Sequence, residues 1–192
     1  MNFNFKQMVE SLKDTGYPAE PDRVRIKVAN AEARLRAGLD YFTGKGVWNE
    51  ENYRPVVEWL EDNKGRGLLI NGGCGLGKSL IGMRIIPILV NTACRKVVSI
   101  YRAQDLVSQP DAILKHIIYI DDVGTENVAN NYGNKRIPFM ELCDLAEIKG
   151  KLLILTTNLD IPHLEEKYGE RTIDRLRAIT KCVTFRGKSL RK

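Results

Sequence analysis

The chain has 192 residues, 43% apolar and 28% charged, a composition that fits a globular protein and excludes a disordered or fibrous polymer. That length can bury a sizeable core and suits one domain with, at most, a small appendage. Lys and Arg outnumber Asp and Glu by 30 to 24, a net +6, and the surplus is uneven. From Arg175 to the end come Arg175, Arg177, Lys181, Arg186, Lys188, Arg191 and Lys192, with no acidic residue. Such an end faces phosphates, an acidic partner or plain solvent.

In chain order, Phe5, Met8, Val9 and Leu12 predict a short helix within residues 1–15, stopped by Gly16 and Pro18. Val24, Val28, Ala31, Leu35 and Leu39 predict a second helix from Pro21 to Phe42, with Arg23, Arg25, Lys27, Arg34 and Arg36 on its other positions. Residues 44–49 read as a linker. A third helix spans Glu51–Asn63, with Val56, Val57 and Leu60 inward. Tyr53 on it is either a core aromatic or a contact for a base. Leu68–Ile70 is an apolar strand that runs directly into GGCGLGKS, and the helix after Ser79 reaches about Asn91, interrupted at Pro87. Further strands are expected at Lys96–Tyr101, His116–Asp121, Lys151–Thr156 and Cys182–Phe185. Helices are expected at Ile137–Ile148, Asp160–Tyr168 and Glu170–Ala178, with only a short turn at Ala103–Leu106.

Strands that are apolar throughout and alternate with helices argue for an α/β protein whose parallel sheet is covered on both faces. Ligands of such sheets gather at the carboxyl ends of the strands. Three polar groups follow strands at once: the Gly-rich loop, Asp121-Asp122, and Asn158. The loop has the pattern GxxxxGK[ST] in Gly72, Gly77, Lys78 and Ser79. A phosphate tail needs inward backbone N–H groups from a tight loop, and Gly72, Gly73, Gly75 and Gly77 keep the approach bare. The helix that opens there turns its positive end to the anion. The predicted phosphate cradle is Gly72, Gly73, Cys74, Gly75, Leu76, Gly77, Lys78, Ser79 and Leu80. Lys78 reaches the β- and γ-phosphates of ATP, while Ser79 and Asp121 hold Mg²⁺, which takes few carboxylates and keeps waters. Asp122 is placed to polarise an attacking water. Asn158 either contacts the γ-phosphate or that water, or forms an Asx turn. Arg171 and Arg175 share a helix face at a spacing that disfavours an isolated helix, so an anion faces them or Glu170 and Asp174 offset them. One functional reading is an arginine supplied to a neighbouring subunit's γ-phosphate. The cysteines (Cys74, Cys94, Cys143, Cys182) are scattered, which argues for reduced thiols and against zinc. No apolar run has the length of a membrane span and MNFNFKQMVE lacks a signal core, so the expectation is a cytoplasmic protein without membrane contact.

Taken in order, GGCGLGKS, IIYIDDVGTE, LLILTTNL, YGERTIDRLRA and VTFRGKSLRK resemble the DnaC/IstB class of AAA+ ATPases over about residues 50–192. No lid domain is expected after Phe185, and the expected division is an N-terminal helical segment, 1–48, and a P-loop ATPase core, 49–192. The resemblance implies a five-stranded parallel sheet of AAA+ type. It implies Walker A at Gly72–Ser79, Walker B at Asp121 and Asp122, sensor 1 at Asn158, and a trans-acting arginine at Arg175 with Arg171 as second candidate. Arg191 would approach phosphate. The class implies ATP hydrolysis with Mg²⁺ in a homo-oligomer, binding to single-stranded DNA, and a replicative helicase or transposase as partner. Loaders of the class carry a longer insertion between the second and third strands than the Arg102–Lys115 stretch here. A helicase-loader-like role in DNA replication leads. The competing readings are a transposition helper, a nucleotide-gated adaptor with little hydrolysis, and a small-molecule kinase.

Overall fold

The computed structural model describes residues 4–12, 15–17, 20–44, 48–126, 129–131 and 134–190. In chain order, α1 (Phe5–Ser11), α2 (Ala31–Thr43) and α3 (Glu50–Glu61) precede β1 (Gly67–Gly72). A π-helical stretch (Leu80–Ile85) and α4 (Ile86–Cys94) lead to β2 (Ser99–Arg102). Two 3₁₀ turns (Ala103–Asp105 and Pro110–Leu114) then lead to β3 (Ile117–Asp121). A two-stranded hairpin, β4 (Ala129–Asn131) and β5 (Asn134–Arg136), precedes α5 (Pro138–Lys149), β6 (Leu152–Thr157), α6 (Ile161–Tyr168), α7 (Glu170–Ile179) and β7 (Thr180–Phe185).

The five long strands form one parallel sheet in the order β2-β3-β6-β1-β7. Strand side chains alternate between faces, and the central strands are apolar on both. Leu68, Ile70, Tyr119 and Ile154 therefore enter one core layer, beneath α2, α3 and α4. Leu69, Ile118, Ile120, Leu153 and Leu155 enter the other, beneath α5, α6 and α7. Each fully buried aliphatic side chain contributes about 1.5–3 kcal/mol, so these two layers supply most of the driving force for the fold. β1 sits between β6 and the edge strand β7, which brings the loop after it onto the sheet's carboxyl rim beside the end of β6.

The predicted second helix starts late. Residues 22–28 are extended, and only Ala31–Thr43 is helical. The reason lies in VRIKV: Ile26 and Val28 are buried while Arg25 and Lys27 are exposed, an alternation of period two. Backbone bonds go sideways to α3 and the loop behind it. Val28 N–H donates to Leu60 C=O at 2.8 Å, and Ile26 N–H donates to Asn63 Oδ1 at 2.8 Å. Asn63 Nδ2 donates in return to the carbonyls of Val24 and Arg66. Ile26, Val28, Ala31, Leu35 and Leu39 thus share the core layer that covers β1.

Two further differences concern turns. Pro87 does not break a helix. It occupies the first turn of α4, after a π stretch has absorbed the irregularity, a position where its missing N–H has no partner to lose. The β4–β5 hairpin between β3 and α5 was not expected from the sequence. Its residues carry no apolar alternation by which to read it.

Candidate nucleotide site

The loop between β1 and the π-helical stretch is wound through positive φ at Gly72 (141°), Gly75 (78°) and Gly77 (83°), conformations that side chains rarely adopt. Two of these glycines also leave room for neighbours. A Cβ on Gly72 would overlap the Phe185 carbonyl, and one on Gly75 would overlap the Ser189 hydroxyl. The loop is therefore packed against β7 and the chain that follows it. Leu190 N–H donates to Gly75 C=O at 2.8 Å, so Ser189 and Leu190 of the basic end lie against the phosphate loop. Arg191, expected near phosphate, lies outside the described residues.

Lys78 is 5% exposed. Its Nζ donates to Gly72 C=O and Gly73 C=O, both at 2.7 Å, and to Asn158 Oδ1 at 2.8 Å. Asn158 Nδ2 in turn donates to Asp122 Oδ1 at 3.1 Å. One chain of hydrogen bonds thus ties together the ends of β1, β6 and β3. Asp122 has a left-handed backbone (φ 54°), which lifts it out of the strand at the rim. A cavity of about 450 Å³ opens here, walled by residues 74–80, Asp122 and Asn158. Thr43 at the end of α2 and Leu190 complete the wall. Sequence reasoning missed both, because their approach depends on tertiary packing.

Asp121 closes β3 with 9% exposure. Its Oδ1 accepts from the Tyr119 hydroxyl and from Thr156 Oγ1, the latter at 2.7 Å. Tyr119 stands two residues before Asp121 and so shares its face of the strand. Burial first, then the bond to Asp121, raises the Tyr119 phenol well above its ordinary value, so it stays protonated. Ser79 and Asp121 present a hydroxyl and a carboxylate, hard oxygen donors of the kind Mg²⁺ takes beside phosphate oxygens. Asp121 Oδ2 accepts no hydrogen bond among the described residues, which leaves it to a cation. The donor set fits that metal.

The two arginines stand apart from this cavity, on α7. Arg175 is held within its own chain: its guanidinium pairs with Asp144 and Glu147 of α5, the Glu147 contact at 2.8 Å. Arg175 thus faces anions supplied from inside the molecule. Arg171 is exposed and makes no ion pair among the described residues. Tyr53 is a core aromatic, 1% exposed, with edge contacts to Trp48 and Phe185, and does not line the cavity. All four cysteines are free, with Cys74 exposed in the loop. Among the described residues no group of three metal-binding side chains occurs, and no helix is long and apolar enough to cross a membrane.

A bare glycine loop opening a helix at the carboxyl rim of a parallel sheet, with an acidic strand end on the same rim, defines a P-loop nucleotide-binding domain. Residues 48–189 match the model of the family described as Novel STAND NTPase 3, and the chain belongs to that family. Among solved structures it is similar to the DnaC helicase loader: TM-score 0.53, 15% identity, 88% of this chain and 95% of that one. It is also similar to AMPPCP-bound DnaA from Aquifex aeolicus: TM-score 0.54, 15% identity, 73% of this chain and 48% of that one. These likenesses show an AAA+-type α/β fold. Among curated proteins it is similar to the HPr kinase/phosphorylase of Streptococcus pyogenes serotype M5 (strain Manfredo), 28% identical over 130 residues. That match spans 67% of this chain but only 39% of the relative's length.

Proposed function

We propose that this protein binds ATP with Mg²⁺ and hydrolyses it, and that it works as an oligomeric helicase-loader-like ATPase on DNA, a replicative helicase, or both. The observation that carries the reading is the hydrogen-bonded chain Lys78–Asn158–Asp122, which joins three strand ends. Lys78 exchanges the Gly72 and Gly73 carbonyls for the β- and γ-phosphates, a stronger charge-assisted partnership. Asn158, released from Lys78, and Asp122 then orient and polarise the attacking water. When bound, Mg²⁺ neutralises charge on the phosphate oxygens. Ser79 and Asp121 would hold it. Arg171, exposed on α7 and without an ion pair among the described residues, is the better placed of the two arginines to serve a neighbouring subunit's site.

The likeness to the DnaC helicase loader over nearly all of that chain supports the replication role. A second reading comes from the curated relatives, whose name is HPr kinase/phosphorylase: transfer of the γ-phosphoryl group to a protein hydroxyl, with Asp122 as the base. One experiment separates the readings. ATP turnover and particle size are measured with and without single-stranded DNA, and with a test protein acceptor. Turnover that rises with protein concentration and with single-stranded DNA supports the loader-like reading. Phosphate transferred to protein, with no DNA response and no assembly, overturns it.

A further inference from the structure

We propose that Tyr119 is a positioning residue for one of the groups that would hold the metal, orienting the Asp121 carboxylate. The inference rests on the ATP–Mg²⁺ reading above and adds a residue to it.

A count of protons leads there. Thr156 Oγ1 has one proton and gives it to Asp121 Oδ1 at 2.7 Å. The Tyr119 hydroxyl also has one, and gives it to the same Oδ1. Tyr119 and Thr156 lie 3.1 Å apart with both protons already placed. A carboxylate fixed by two donors on Oδ1 keeps Oδ2 for a cation. The phenol therefore sets the carboxylate from within the strand.

The backbone has made room for this ring. Gly82 lies in the π-helical stretch immediately after the phosphate loop, and a Cβ there would overlap the Tyr119 ring edge, with the hydroxyl 3.0 Å away. Wider turns of this kind recur in helices at functional sites. Tyr119 itself is fully buried, so its hydroxyl serves only this cluster. Gly82 and Tyr119 thus form a matched pair: a missing side chain on the helix and a long polar one on the strand.

The test reads metal linkage by binding and not by turnover. Affinity for a fluorescent, non-hydrolysable ATP analogue is measured with Mg²⁺ and with EDTA, for wild type, Tyr119→Phe and Gly82→Ala, each checked by thermal unfolding. In Tyr119→Phe the gain in affinity on adding Mg²⁺ is expected to fall at least fivefold, while the EDTA affinity changes less than twofold. Gly82→Ala, which displaces the ring and keeps the hydroxyl, is expected to reduce the same gain. Folded variants of both kinds with the wild-type Mg²⁺ gain overturn the assignment of Tyr119 alone. A parallel loss with Mg²⁺ and with EDTA also overturns it, since the ring would then only support the fold. A wild-type protein with no Mg²⁺-dependent affinity overturns the parent reading instead.

Discussion

Replacing Arg175 by Ala is expected to cost stability before it costs chemistry. The Arg175 side chain is 18% exposed and bridges α7 to α5 through Asp144 and Glu147, whose side chains are 45% and 39% exposed. A single exposed ion pair contributes about 0.2–1 kcal/mol. Two pairs on one largely buried guanidinium reach about 1–2 kcal/mol once solvent screening of the half-exposed carboxylates is allowed for. For a domain of this size that lowers Tm by roughly 2–8 °C. The assay is thermal unfolding and ATP turnover on Arg175→Ala and Arg171→Ala side by side. Arg175→Ala should unfold earlier. Arg171→Ala should keep the wild-type Tm and lose turnover in the assembled protein, by about 10³-fold if its guanidinium reaches a neighbour's γ-phosphate. The reasoning is refuted if Arg175→Ala keeps the wild-type Tm yet abolishes turnover.

Asn63 fixes the extended segment to the loop before β1 through Ile26 N–H, Gly65 N–H and the Val24 and Arg66 carbonyls. Asn63→Ala strands several of these buried groups, and a loss of about 3 kcal/mol, or roughly 6–12 °C in Tm, is expected in calorimetry. At the start of α6 the Asp160 carboxylate bonds the His163 ring and raises the His163 pKa above 6.5. A raised folded pKa adds stability in full below the unfolded value and loses it as pH rises through the folded one. The Tm difference between wild type and His163→Gln should therefore shrink as pH rises from about 5 to about 9, modestly because the pair is exposed.

The parts of the fold that could be read in advance are those where a local pattern leaves one physical solution. The stretches LLI, HIIYID and KLLILT are too apolar for anything but central strands, and GGCGLGKS is too bare for anything but a phosphate loop. The extended run VRIKV carried a strand signal, yet its valines also fit a helical spacing that continues into α2. What settled it was Asn63, 37 residues from Ile26, and no local window contains both. Arg175 is similar: its partners Asp144 and Glu147 lie a strand and a helix earlier in the chain, so only packing reveals them. Tyr119 was within reach. An i, i+2 pair on one strand face can be read from sequence, but an aromatic inside an apolar strand reads first as core.

The central claim is that the ends of β1, β3 and β6 converge on the phosphates of a nucleotide, with Lys78 as the charge that meets them. Calorimetric titration of a non-hydrolysable ATP analogue with Mg²⁺ into wild type and Lys78→Ala tests it most directly. Two charge-assisted phosphate contacts at about 1.5 kcal/mol or more each predict a loss of roughly a hundredfold or greater in affinity with the fold intact. A Lys78→Ala protein that binds the analogue as wild type does would contradict the account.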